Sequence, residues 1–368
     1  MKVLTITGTR PELIRLSLII KKLDKLVDHI LIYTNQNYDK NLSTIFFDEL
    51  GIRNPDYYFD SGYNSFGEYF GNSIIEFEKI LKEEKPDKIL ILGDTNSGLL
   101  SIIAERYKIP IYHMEAGNRC FDERVPEEIN RKIIDITSTY NLPYTENSKQ
   151  NLLSEGFHKN KIYKTGNPIY EVLNHYEEEI DNSNILDDLH LLNGVGNDPV
   201  PMIDRILTDY VLVTIHRAEN VDDGCSLEEI FKFLNTISKD KKVIFPIHPR
   251  TKSKISDIKI NSNIILTEPM GFFDFVKLEK HAFCVISDSG TVTEETMIFG
   301  VPSLIVREST ERQELIENGS SILTGINYNT MMDSYNNINK VGNKWDKIDD
   351  YFCENVSDKV IRILLGKK

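Results

Sequence analysis

The sequence is poor in cysteine and in positive charge, and it contains no long apolar run. Its four cysteines, Cys120, Cys225, Cys284 and Cys353, are scattered, with no Cys-x-x-Cys pair and no histidine at zinc-finger spacing. That pattern favours free thiols in a reducing cytoplasm over a disulfide framework or a structural metal. No segment approaches the ~18 uninterrupted apolar residues of a membrane span. The opening run, Val3 to Thr7, stops at once in a polar loop, too short for a secretory core and without a small-residue cleavage site, so it reads as a first buried strand. Lys and Arg number 43 against 57 Asp and Glu, a formal charge of -14. Affinity for nucleic acid comes mostly from cations that neutralise phosphates, so no nucleic-acid partner is expected. A small anionic ligand remains compatible, because a few local arginines and backbone N–H groups can hold one inside an acidic protein.

What is present is an ordinary globular composition, 40% apolar and 27% charged. At 368 residues the chain predicts two domains, since single cores stop growing at roughly 250 residues. Short β-branched runs alternate with amphipathic stretches, the pattern of βαβ units on a parallel sheet. Val3 to Thr7, His29 to Thr34, Lys88 to Leu92 and Pro110 to Met114 read as strands. Leu13, Ile14, Leu16, Leu18 and Ile19, and then Ile74, Ile75, Phe77, Ile80 and Leu81, have helical spacing. Pro126 to Ser138 reads as a helix with proline at its first position, and Glu146 to Glu155 as one ended by Gly156. The pattern dissolves between Glu177 and Thr208 and restarts with strands at Tyr210 to Ile215, Lys242 to Pro246, Asn263 to Leu266, Ala282 to Ser287 and Pro302 to Val306. The expectation is an α/β protein of two doubly wound domains: 1–176, a linker at 177–208, 209–350, and a closing helix in 351–368 that packs back across the domains. Such sheets bind ligands at the carboxyl ends of their strands.

The residues at those ends are chemically rich. Gly8-Thr9-Arg10-Pro11-Glu12 joins the first strand to the first helix, where a helix N-terminus and Arg10 can receive an anion. A plain glycine turn with a solvent-facing arginine explains the pentapeptide equally well, and it is no Gly-x-Gly-x-x-Gly, so a dinucleotide is not implied. Asp94 follows the strand ending at Leu92 and doubles as a helix cap. Glu115 follows the next strand, and Glu127 opens the next helix, where it also complements the helix dipole. Three carboxylates converging on one strand edge would push at least one pKa upward and divide general acid and base work between like groups. In the second half, His216-Arg217 and His248-Pro249-Arg250 place cations at strand ends. Ser287-Asp288-Ser289-Gly290 opens a helix with small hydroxyl residues and glycine, which suits a diphosphate, with Glu295 one turn in for a ribose.

Taken together, Gly8-Thr9-Arg10-Pro11-Glu12, Gly93-Asp94-Thr95, His113-Met114-Glu115-Ala116-Gly117, Pro126-Glu127-Glu128-Ile129-Asn130-Arg131, Thr214-Ile215-His216-Arg217, Asp288-Ser289-Gly290 and Thr310-Glu311-Arg312 occur in that order. In them the chain resembles, from end to end, the non-hydrolysing UDP-N-acetylglucosamine 2-epimerase family. The resemblance implies two Rossmann-like domains facing across a cleft, of the glycosyltransferase-B type, a UDP-N-acetylhexosamine substrate and a cytoplasmic homodimer. It assigns catalysis to Asp94, Glu115, Glu127 and His216. Substrate contacts fall on Arg10, Arg15, Gln36, Arg217, His248, Phe275 beside the uracil, Ser289 and Gly290 at the diphosphate, Glu295 at the ribose, and Arg312. The implied reaction eliminates UDP, passes through a 2-acetamidoglucal and readds UDP with C2 inverted, and requires neither metal nor redox cofactor.

The chain departs from the family pattern at three places. Arg15 stands where a lysine is typical, and Asn37-Tyr38-Asp39 after Gln36 lacks the expected second glutamine of the effector site. The short Asn118 to Val125 segment looks closer to the branch that makes UDP-N-acetyl-L-fucosamine or epimerises diacetamido uronic acid sugars. A hydrolysing epimerase is disfavoured by the first loop, which is of Gly-Thr-Arg-Pro-Glu rather than Gly-Ser-Arg-Ala-Glu type. A glycosyltransferase has no need of a C2 base, and a non-catalytic sensor would be expected to lose one of the three carboxylates.

Overall fold

The computed structural model describes residues 1–35, 40–60, 65–193, 206–247 and 249–366. They form two compact units, Met1–His175 together with the tail from Ile348, and Tyr176–Lys347.

The first unit is built on a parallel sheet of β1 (Lys2–Thr7), β2 (Asp28–Tyr33), β3 (Tyr57–Tyr58), β4 (Lys88–Leu92), β5 (Ile111–Met114) and β6 (Tyr140–Leu142). Its order is β3-β2-β1-β4-β5-β6, with Leu4 level with Ile30 on one side and Ile89 on the other. Helices cover both faces, which is why the central strands read as unbroken apolar runs rather than alternating ones; all five residues of β4 are buried. Order reverses between β1 and β4, so the chain leaves these two neighbouring strands in opposite directions and opens a crevice at their carboxyl ends. Gly8 and Gly93-Asp94 occupy that edge. The closing helix Val356–Leu365 buries Val356, Val360, Ile361 and Leu364 and contacts the helix Arg10–Leu26 within this unit. Lys22 Nζ donates to Ser357 Oγ at 2.7 Å.

The second unit repeats the plan. A short antiparallel pair, β7 (Leu192–Asn193) and β8 (Ile206–Leu207), precedes a parallel sheet of β9 (Tyr210–Thr214), β10 (Lys242–Pro246), β11 (Ile264–Thr267), β12 (Cys284–Ser287), β13 (Ser303–Ile305) and β14 (Ser321–Leu323). Its order is β11-β10-β9-β12-β13-β14, with the reversal between β9 and β12. Val211, Val213, Phe231, Phe245 and Ile286 centre the core on one face, and Tyr210, Leu212, Ile244 and Val285 on the other. Within the stretch expected as a linker, Glu177–Asp181 and Ile185–Asp188 are short helices, and Ile185, Leu186 and Leu191 belong to that second core. Their apolar residues are too few and too close to turn residues to show a helical period in the sequence.

Candidate active site

At the first crevice, Gly8 is required by space. A Cβ there would lie 2.0 Å from Ser97 Oγ and 2.4 Å from Thr34 Oγ1. The Gly8 N–H donates to Glu12 Oε2 at 2.5 Å and the Thr9 N–H to the same oxygen at 3.2 Å, while Thr95 Oγ1 donates to Glu12 Oε1 at 2.6 Å. Glu12 thus stitches the loop after β1 to the loop after β4. Burial, reinforced by the Asp94 charge and opposed by these three hydrogen bonds, pushes its carboxyl up to about 7.

Asp94 accepts from Arg131 Nε at 2.6 Å, and its carbonyl accepts from Asn130 Nδ2 at 3.0 Å. Both donors come from the helix Pro126–Thr137, which Pro126 starts because its missing N–H and fixed φ suit a first turn. Glu127, half-buried, lies one turn before them on that helix, at the spacing that puts it on the same face as Arg131. Glu115 follows β5 with φ 67°, a left-handed conformation that costs a glutamate about 1–3 kcal/mol and that persists where surrounding contacts over-determine it. Those contacts are visible: its N–H donates to the Leu142 carbonyl at 3.1 Å, Arg15 Nη1 donates to Oε2 at 3.1 Å, and Asn118 Nδ2 donates to Oε1 at 3.0 Å. Glu115 Oε2 also comes within 3.6 Å of where a Gly93 Cβ would be, so the β4 and β5 turns meet. Arg15 lies 5.9 Å from the Tyr144 ring centroid, and Arg10 lies 5.5 Å from that of Phe46. The result is two carboxylates at one strand edge, each with a buried arginine that holds it as an acceptor.

At the second crevice the organiser is Asp288, wholly buried after β12. Its Oδ2 accepts from the His216 N–H at 3.1 Å, the Arg217 N–H at 2.9 Å and Asn220 Nδ2 at 3.0 Å, and its carbonyl accepts from Arg217 Nε at 2.9 Å. The His216 ring stays 48% exposed, with Nδ1 3.3 Å from Asp288 Oδ1. Ser289 stands just before the helix Gly290–Phe299 without a side-chain bond to its first turn, and its Oγ lies 3.0 Å from Thr291 Oγ1. A Cβ on Gly290 would fall 2.7 Å from Glu311 Oε1 and 3.9 Å from Arg312 Cζ, so the turn closes tightly against the loop after β13. Arg312 is buried and donates through Nε to Glu294. Glu295 is buried on the same helix. Burial first, then the Glu295 charge, hold the neighbouring Glu279 well above the usual carboxylate range.

The expected residues therefore fall into two groups. Asp94, Glu115, Arg15 and Glu127 gather around the first crevice, with Arg10 on the helix that leaves it. His216, Arg217, Ser289, Gly290 and Arg312 gather around the second, and Phe275 is half-buried against the core on the β9 side. Gln36 and His248 lie outside the described residues. Glu12, Asp288, Glu294 and Glu311 were not anticipated as parts of either group. Glu12, Asp288 and Glu311 stand inside quoted motifs and Glu294 directly before Glu295, and only burial reveals that each anchors its neighbours.

Residues 21–365 match the family model described as UDP-N-acetylglucosamine 2-epimerase. The chain is 42% identical over 337 residues to a UDP-N-acetylglucosamine 2-epimerase of Methanocaldococcus jannaschii, covering 89% of each. It is 33% identical over 331 residues to a UDP-2,3-diacetamido-2,3-dideoxy-D-glucuronate 2-epimerase of Pseudomonas aeruginosa, covering 88% of each. A crystal structure of the Methanocaldococcus jannaschii enzyme in complex with UDP-GlcNAc and UDP superposes with a TM-score of 0.90 at 38% identity, covering 99% of both chains. A Phytolacca americana glycosyltransferase at 11% identity, with a TM-score of 0.57 over 99% of this chain and 95% of that one, shares the two-domain α/β fold.

Proposed function

The chain belongs to the UDP-N-acetylglucosamine 2-epimerase family, and from that premise we propose that it is a non-hydrolysing isomerase interconverting UDP-N-acetylglucosamine and UDP-N-acetylmannosamine. The observation that carries the reading is Glu115, held in a left-handed conformation between Arg15 and Asn118 and within reach of the Gly93-Asp94 turn. In this reading one of Asp94, Glu115 and Glu127 takes the C2 proton while the C1–O bond to UDP breaks, the bonding electrons leaving with UDP. The C2–H is a poor acid, so positive charge developing at C1 assists its loss. The product is a 2-acetamidoglucal. A second carboxylate returns a proton to the opposite face of C2 as UDP readds to C1.

The second unit supplies the leaving-group side. Ser289, Gly290 and the N-terminus of their helix offer N–H and O–H donors to the diphosphate, aided by Arg217 and Arg312; for Arg10 a substrate contact is what the resemblance implies. His216 is open enough to meet the sugar and its diphosphate, Glu295 accepts from the ribose hydroxyls, and Phe275 flanks the uracil; for Gln36 and His248 the substrate role rests on the resemblance alone. We extend the reading to a cytoplasmic homodimer. The resemblance supports the dimer, and the free state of all four cysteines is in keeping with a reducing compartment. Light scattering at twice the 42.4 kDa chain mass checks the first.

The test is NMR of the C2 position after incubation with UDP-N-acetylglucosamine in deuterated water. Deuterium at C2 with UDP still attached is the expected result. Release of free N-acetylmannosamine, or retention of the C2 hydrogen, overturns it. A second substrate, UDP-2,3-diacetamido-2,3-dideoxy-D-glucuronate, is favoured by the short Asn118 to Val125 segment and belongs in the same assay; faster exchange on it would reassign the substrate while leaving the reaction in place.

A further inference from the structure

We propose that His113 is a positioning residue for this reaction: clamped by Asp135, its imidazole ties the turn that carries Asp94 to the turn that carries Glu115. His113 lies in β5 and is wholly buried, so it touches no substrate. Its Nε2 is 2.8 Å from the carbonyl oxygen of Gly93, and its Nδ1 is 2.8 Å from Asp135 Oδ1. A carbonyl can only accept, so Nε2 carries a proton towards Gly93. The Asp135 carboxylate also accepts from the Gly117 N–H at 3.2 Å and from Arg119 Nη2 at 2.7 Å, both through Oδ2, leaving Oδ1 to face His113 Nδ1. The ring is therefore held at both ends. One end holds the residue before Asp94; the other, through Asp135, holds the residue two places after Glu115.

The brace closes a circuit. Asp135 is on the helix Pro126–Thr137, whose Arg131 and Asn130 grip Asp94. The hold matters most at Glu115, whose φ of 67° a non-glycine residue seldom adopts, while Gly93 and Gly117, at φ 78° and 79°, give both turns the freedom to swing. Left to their own preferences these turns would relax, and a displacement of about 1 Å at the reacting groups is enough to cost about 100-fold in rate. Arg119, buried and paired with Glu155 at 2.6 Å as well as with Asp135, fixes the far end of the brace.

The proposal rests on the epimerase reading for the roles of Asp94 and Glu115, and its test separates the two. The first arm uses the intact wild-type protein labelled with nitrogen-15 histidine. The His113 ring, assigned by its loss in His113→Gln, is expected to show a proton on Nε2, the nitrogen that faces the Gly93 carbonyl; an unprotonated Nε2 overturns the brace whatever the enzyme does. In the second arm, His113→Gln and Asp135→Asn are compared by kcat and KM for C2 exchange. The expected result is a fall in kcat of about 10- to 100-fold with KM and UDP affinity unchanged within about 2-fold. A folded variant that exchanges at the wild-type rate overturns the positioning role. Failure of the wild type to exchange any UDP-sugar refutes the epimerase reading, and with it the positioning role, while the nitrogen-15 spectrum still decides the brace.

Discussion

Glu12 shows how a residue beside the chemistry responds to pH. Its native carboxyl, pushed up to about 7 from an ordinary 4.5, binds a proton more tightly than the unfolded chain does. The resulting stabilisation is complete below the ordinary value and is lost as pH rises through the native one. Glu12→Gln cannot ionise, so its stability relative to wild type should grow between pH 4.5 and 7, by on the order of 3 kcal/mol. Urea unfolding of both proteins across that window measures it, and a constant difference would contradict the assignment. At the carboxylates proposed to do the chemistry the prediction is functional. Asp94→Asn and Glu127→Gln should each lose C2 exchange by ~100-fold or more while UDP affinity is kept; undiminished exchange in both would sink their roles. Glu279 gives a third case. It is wholly buried and neither oxygen has a hydrogen-bond partner. An apolar residue of similar shape removes that cost, so Glu279→Met should raise stability at pH 8 by about 1–3 kcal/mol. Because its carboxyl is raised, the gain shrinks as pH falls from the raised native value to the ordinary one, and calorimetry at pH 8 and pH 4 would expose a reversed order.

At the scale of elements, the turns matter more than the helices. Gly117 has φ 79°, and a Cβ there would meet the Ser148 carbonyl oxygen at 2.2 Å, a backbone atom with nowhere to go. Gly156 has φ 89° but nothing within 4 Å. Both alanine variants carry the strain of a left-handed alanine, about 1 kcal/mol, so the excess destabilisation of Gly117→Ala over Gly156→Ala reads the collision alone. Equal urea midpoints would mean that the β5 turn yields. What is legible in the sequence at this scale follows from burial. β1, β4, β9 and β10 are covered on both faces, so they appear as apolar runs with edges fixed to within a residue or two. β3, β6 and β14 are edge strands of two or three residues, too short to print a pattern. Likewise Asp94 and Glu115 stand out because a charge directly after an apolar strand is conspicuous. Glu12 does not, and although Asp288 follows β12 directly, the work of both is to accept backbone N–H groups whose approach only the folded chain defines.

For the whole molecule, an acidic chain of charge -14 nevertheless buries several arginines. Arg15, Arg119, Arg131, Arg307 and Arg312 are all buried at 3% exposure or less, so local fields at the two crevices are not set by the net charge. Two compact units predict more than one unfolding transition. UDP at about 100 times its Kd adds about 2.7 kcal/mol to whatever binds it. Scanning calorimetry should show the transition of the second unit moving upward and that of the first moving less; an equal shift in both would mean that they unfold as one. The division has a further consequence for synthesis. The chain leaves the first unit at His175 and returns to it only at Ile348. A ribosome adding about 5–20 residues per second spends roughly 10–30 s on the intervening unit. Throughout that interval the first unit lacks Val356–Leu365, and the flank of Arg10–Leu26 that this helix covers stays bare. The second unit, contiguous in sequence, can finish folding before the first, although it is translated later, and the nascent first unit is the one that would need a chaperone.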